Sequence, residues 1–118
     1  MNIRELLRWQ WNGYTNYHRS KTNLLLHIVV VPMFLAGNVG LVISIFAASW
    51  VAALISLLAM GVSVALQGRG HRTEEVLPVP FASPANAVSR ILLEQWISFP
   101  RFVLSGGWSR ALLERTNP

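Results

Sequence analysis

Apolar and polar positions divide this chain into zones of different texture. Residues 22–68 hold 47 positions without a single Asp, Glu, Lys or Arg. A helix needs roughly 20 mostly apolar residues to cross a bilayer, at about 1.5 Å rise each, so this stretch predicts two spans. Residues 24–47 and 50–67, turning near Ser49, give both spans enough length; a turn at Gly37-Asn38 leaves the first too short. A buried helix pair in a water-soluble protein is the competing reading. The other 71 residues are too few to cover so much apolar surface.

The flanks have a different rhythm. Residues 1–22 predict an amphipathic helix, with Asn2 as cap and Glu5 at the reciprocal capping-box position. Leu6, Leu7, Trp9 and Trp11 give it a face suited to a membrane surface. Residues 76–84 contain three prolines and predict a loop, after which Ser83-Pro84 has the pattern of an N-cap followed by proline in the first turn. Val88, Ile91, Leu92, Trp96 and Phe99 then recur at helical spacing, with Asn86, Arg90 and Glu94 set away from them. Residues 85–104 therefore read as an interfacial or re-entrant helix, kinked or ended by Pro100. Gly106-Gly107 separates a last short segment, residues 109–115. The expected fold class is all-α: a single membrane domain, 1–118, forming an integral membrane helical bundle on a two-span helical hairpin with flanking amphipathic helices.

Composition strengthens this picture and removes other functions. Hydrophobic residues make up 53% of the chain and charged residues 13%, about half the charged share of an ordinary soluble domain. Ten Lys and Arg stand against five acids, all Glu. The basic residues bracket the apolar runs instead of forming a stripe, which points to anionic lipid and away from nucleic acid. Arg4, Arg8, Arg19 and Lys21 precede the first span, and Arg69 and Arg72 follow the second, so the positive-inside bias places both termini in the cytoplasm. Met1 to Asn23, with two Trp and five charged residues, does not read as a signal peptide. The absence of cysteine excludes disulfides, zinc ribbons and thiol nucleophiles. Neither a phosphate-cradling glycine loop nor a Gly-x-Ser-x-Gly elbow is present, and there is no Asp for a serine triad. Nothing in the pattern excludes an oligomer.

Candidate chemistry rests on three histidines. His18 precedes the first span, His27 lies about a turn inside it, and His71 lies four residues past Gln67. A hairpin brings all three to one membrane boundary, and an ionisable side chain within a span is costly unless paired, ligated or wetted. In a helical register His71 shares a face with Glu74 or Glu75, and imidazole with carboxylate suits a non-haem ferrous ion. Asn23 stands four before His27 and is placed to orient its ring. His18 and His27 fall on opposite sides of a continuous helix, so they converge only if the chain bends around residues 20–23. The plainer readings are polar residues at headgroup depth, a surface charge cluster of His71 with Arg69 and Arg72, and Trp residues as interfacial anchors.

The pattern Tyr17-His18-x4-Asn23-x3-His27-x4-Pro32, followed after the apolar hairpin by Gln67-x2-Gly70-His71-x2-Glu74-x3-Pro78, resembles the family of small membrane 2-hydroxy fatty acid dioxygenases. The stretch from Glu94 to Trp108 resembles bacterial members in particular. The resemblance implies an iron(II)-dependent enzyme of fatty acid α-oxidation, converting a 2-hydroxy fatty acid to the acid one carbon shorter with oxygen. In fungal members, which are longer, this serves phytosphingosine breakdown. The resemblance implies His18, His27 and His71 as Fe(2+) ligands, Glu74 as a ligand or acid-base group, and Asn23 as an orienting residue. The doubled Glu74-Glu75 leaves either carboxylate eligible. The substrate carboxylate is expected near Arg19, Lys21 or Arg72, with the acyl chain between the hairpin and the 85–99 helix. A non-catalytic scaffold, a lipid-sensing hairpin and a haem protein using two histidines are the competing classes.

Overall fold

The computed structural model describes residues 1–114, and among these every regular element is helical. Residue 115, the end of the last predicted segment, lies outside the described residues. Helix α1 spans Ile3–Gly13 and closes on a 3-10 turn, Tyr14–Tyr17. Helices α2 (Lys21–Phe46) and α3 (Trp50–His71) follow, then α4 (Pro84–Leu93), a π turn (Glu94–Ser98), α5 (Phe99–Leu104) and α6 (Gly107–Glu114).

Local chemistry sets these limits. The Asn2 side chain accepts from the Glu5 amide at 2.8 Å while the Glu5 carboxylate accepts from the Asn2 amide, so α1 opens on a full capping box. Ser20, Ser49 and Ser83 cap α2, α3 and α4 in the same way, through the third amide of each helix. The C-terminus of α2 is a Schellman turn: Ser49 N–H donates to the Ser44 carbonyl and Ala48 N–H to that of Ile45. That geometry puts Ala48 at φ 52°, the one positive φ of a non-glycine residue among those described.

Helices α2 and α3 are each long and apolar enough to cross a membrane. They lie antiparallel, drawn close where small residues face each other. Gly37 approaches Met60 and the Ser56 carbonyl, Gly40 approaches the Ser56 hydroxyl, and Ser63 Oγ donates to the Val30 carbonyl at 2.6 Å. Their outer faces carry large apolar side chains open to the surroundings, including Val29, Ile43, Phe46, Trp50, Leu54 and Leu58.

The other helices gather mainly at one end of this pair, the end bearing Lys21 and His71. A core of Tyr14, Leu24, Val31, Phe99 and Phe102 joins them, and Trp108 Nε1 donates to the Leu24 carbonyl at 2.9 Å. Gln10 Nε2 donates to the Arg90 carbonyl and Gln10 Oε1 accepts from Ser98 Oγ, binding α1 to α4 and the π turn. Helicity runs on through Pro100: it is the π turn just before it that departs from the α register, with Phe99 N–H donating to the Glu94 carbonyl five residues back. Along α4 and the π turn, Val88, Leu92 and Trp96 stay exposed while Gln95 and Ser98 are buried.

Candidate metal centre

Four side chains from separate parts of the chain meet at the end of the helix pair. His18 comes from the bend between the 3-10 turn and α2, His27 from the second turn of α2, His71 from the last residue of α3, and Glu94 from the first residue of the π turn. One potential ligand atom from each lies within 4.8 Å of all the others. The three imidazole centroids are 4.9 to 5.1 Å apart, with rings nearly perpendicular in each pair. The bend that joins His18 to His27 falls at residues 18–20, where His18 and Ser20 leave helical geometry.

The backbone fixes which nitrogens face inward. His18 Nδ1 lies 2.7 Å from the Tyr14 carbonyl, and His27 Nδ1 lies 3.0 Å from that of Asn23. Carbonyls only accept, so both Nδ1 atoms carry protons, and in the neutral rings both Nε2 atoms present lone pairs. Those Nε2 atoms, with His71 Nδ1, are buried and have no hydrogen-bond partner. Glu94 Oε2 sits 3.3 Å from His18 Nε2 and 3.7 Å from His27 Nε2. Unsatisfied buried nitrogens are expensive, and a cation shared by three of them and a carboxylate would satisfy the whole set. Carboxylate and imidazole ligands suit iron, zinc or manganese. Two axial histidines of a haem stand on opposite faces of a porphyrin plane; three rings packed this closely leave no room for one.

Electrostatics agree with the geometry. Burial alone would raise the Glu94 carboxyl, but the close His18, and then His27 and His71, hold it down at about 2. Glu94 is therefore an anion at neutral pH. Tyr14 donates to Glu94 Oε2 at 2.9 Å, and its ring stacks on His18 at a centroid distance of 3.8 Å. Burial, then the charge of Glu94 and the hydrogen bond to it, push the Tyr14 phenol well above its usual range, so it keeps its proton.

The structure corrects the expected carboxylate. Glu74 does not join the group because α3 ends at His71, and residues 72–74 turn away through successive i to i+3 hydrogen bonds instead of continuing the helical face. Its buried carboxylate accepts from the amides of Arg19 and Ser20 at 2.9 to 3.1 Å and from Asn23 Nδ2 at 2.7 Å. Glu74 thus clamps the start of α2, and Glu75 is exposed. Asn23 orients His27 through its carbonyl; its side chain serves the clamp, donating to Glu74 and to the Tyr17 carbonyl. Arg19 points to Asn16 and, like Lys21, does not line the cavity beside the centre; Arg72 does.

Sequence reasoning missed Glu94, which was placed on an outward polar face. The signal was available: it is an ionisable residue in an apolar helical stretch, the situation that singled out His27. Its neighbour Gln95 is also turned inward, exchanging two hydrogen bonds of 2.8 Å with Gln67, whose amide also donates to Ser63. This pair anchors the π turn to α3 one residue from the carboxylate.

A cavity of about 680 Å³ opens against the centre, with Tyr14, His18, His71 and Glu94 at one side and Val64, Leu77, Val79, Phe81 and Ile91 around it. Its size is that of a small-molecule site. Comparison with known proteins identifies no relative: no family model, curated protein or solved structure matches the chain.

Proposed function

We propose that this protein is an integral membrane, iron(II)-dependent dioxygenase that converts 2-hydroxy fatty acids to fatty acids one carbon shorter. The observation that carries this reading is the convergence of three unpartnered imidazole nitrogens and an anionic Glu94 beside an apolar cavity, whose wall includes His18, His71 and Glu94. Bound ferrous iron would supply the redox chemistry linking oxygen to the hydroxy acid. One 2-hydroxy acid and one O2 balance as the shortened acid, carbon dioxide and water.

The chain's own residues have assignable parts. Val64, Leu77, Val79, Phe81 and Ile91 hold the acyl chain and exclude water. Arg72 borders the same cavity without a side-chain hydrogen bond or ion pair to any described residue, and it receives the substrate carboxylate. Arg90 is occupied: it donates to the Val79 and Pro80 carbonyls and lies over the Trp9 and Phe81 rings, holding the loop that forms the cavity wall. Tyr14 holds Glu94 in place and keeps a proton beside the reacting end.

The setting is a bilayer crossed by α2 and α3, with both termini in the cytoplasm. The crossing is supported by their exposed apolar faces and by α4 and the π turn, which show Val88, Leu92 and Trp96 outward while Gln95 is buried, and the orientation by the basic residues flanking the two spans. The site then sits at headgroup depth, where the carboxylate of a membrane-dissolved fatty acid resides.

The test is direct. Purified protein loaded with iron(II) and given 2-hydroxypalmitate under air is expected to release pentadecanoic acid. A protein that holds stoichiometric metal yet yields no shortened acid refutes the dioxygenase reading. Undiminished metal content in His27→Ala and His71→Ala refutes the centre itself.

A further inference from the structure

A second depression lies on the other side of α1, away from the histidines. It is a groove of about 470 Å³ between α1 and the segment formed by the π turn and α5, bounded by Leu7, Arg8, Trp11, Ile97, Ser98 and Arg101. We propose that this groove binds the phosphate of an anionic glycerophospholipid.

The first argument is uncommitted positive charge. Arg8 and Arg101 both face the groove, and neither makes a side-chain hydrogen bond or ion pair to a described residue. None of the chain's five glutamates lines it. Arg101 is positioned for an anion: its guanidinium lies 4.0 Å over the Trp11 ring, which restrains it, while its N–H groups make no hydrogen bond to a described residue. A planar fork held this way loses little freedom on meeting two phosphate oxygens.

The second argument is the mixed character of the walls. Leu7 and Ile97 give the groove an apolar side next to its cationic one. A free phosphate has no use for that side, whereas a phospholipid presents a glycerol backbone and its first methylenes beside the phosphate. The third argument is position. Helices α1 and α5 pack at the Lys21 and His71 end of the helix pair, so the groove stands at headgroup depth if α2 and α3 cross the bilayer. The proposal rests on that membrane reading, and not on the dioxygenase chemistry.

The experiment titrates full-length, detergent-solubilised protein with short-chain phosphatidylglycerol, short-chain phosphatidylcholine and inorganic phosphate, reading tryptophan fluorescence. Saturable binding of phosphatidylglycerol is expected, at least tenfold tighter than either alternative. The signal should vanish in Trp11→Phe. Affinity should fall at least tenfold in the Arg8→Gln/Arg101→Gln double variant and stay unchanged in Arg69→Gln/Arg110→Gln, which removes the same charge elsewhere. Equal weakening in both double variants means general charge attraction and overturns the site. Inorganic phosphate binding as tightly as the lipid overturns the lipid assignment. Should the first double variant fail to fold, Arg101→Lys decides: it keeps the charge but loses the stacked fork, and an affinity equal to wild type overturns the proposal. Alkaline carbonate extraction of the protein from vesicles tests the membrane reading on its own, so failure of that reading is told apart from failure of the groove.

Discussion

Tyr14 and Glu94 are 80 positions apart, and the phenol of one donates a 2.9 Å hydrogen bond to the carboxylate of the other. The same tyrosine uses its carbonyl to hold His18 Nδ1 and its ring to stack on the His18 imidazole. One residue thus sets the direction of two members of the metal centre. Tyr14→Phe removes only the bond to Glu94, leaving the stack and the carbonyl. Loss of such an outer contact costs on the order of 10- to 100-fold in metal affinity. The expected outcome is that loss with helix content unchanged, measured by competition against a chromophoric chelator. Glu94→Gln is expected to weaken binding further, because it removes the only negative charge among the four ligands.

How far the sequence reveals this centre can be traced residue by residue. The charge-free run and the capping serines are local signals, and the all-helical fold follows them. His27 was conspicuous because an imidazole among apolar residues needs a partner. Glu94 was hidden by the way its helix faces. Counted on a regular helix it falls with Asn86 and Arg90, and it keeps that side; the helix turns its Arg90 and Glu94 side to the cavity and shows Val88, Leu92 and Trp96 outward, the reverse of a water-soluble helix. Glu74 misled for a different reason. Its spacing from His71 suits a helix, and the helix stops at His71. One error concerns which face of a helix turns inward and the other where a helix stops, and tertiary contacts decide both.

Glu74 has a different duty, and its removal should separate stability from metal binding. Its carboxylate receives two backbone amides and the Asn23 side chain at the positive end of α2. Each buried donor left unmet costs about 1–3 kcal/mol, so Glu74→Ala is expected to lose about 3 kcal/mol. Glu74→Gln, which keeps one acceptor oxygen, should lose about 1 kcal/mol. Thermal unfolding in detergent checks the order. Protein that remains folded should still bind one metal ion per chain; a folded Glu74→Gln protein devoid of metal affinity would make Glu74 part of the centre after all.

Acidification offers an independent view of Glu94. Its carboxyl titrates at about 2 in the folded protein and at about 4.3 in an unfolded chain. The folded value is the lower one, so the stabilisation is complete above about pH 4.3 and is lost as pH falls toward 2. The size is about 3 kcal/mol at most, since one unit corresponds to about 1.4 kcal/mol. Unfolding midpoints of chelator-treated protein should therefore drop across this window. In Glu94→Gln the same window should be flatter, with any remaining slope belonging to other groups.

The final prediction concerns two glycines near the end of α3. A Cβ on Gly70 would run into Oδ1 and Cα of Asn23, and that amide is held by Glu74 and the Tyr17 carbonyl, so it has no free direction in which to retreat. Gly70→Ala must push α3 away from α2 between His27 and His71, the two ligands whose separation depends on that contact. A cost of about 1–3 kcal/mol is expected, together with weakened metal binding. Gly68 is two residues earlier in the same helix, and a Cβ there meets nothing within 4 Å. Gly68→Ala should raise stability by about 0.4–1 kcal/mol, through the reduced freedom of the unfolded chain, and leave metal affinity unchanged. The pair is read by thermal unfolding and chelator competition on the same preparations. Equal effects from the two substitutions would show that helix propensity, and not the approach of α3 to Asn23, governs this end of the protein.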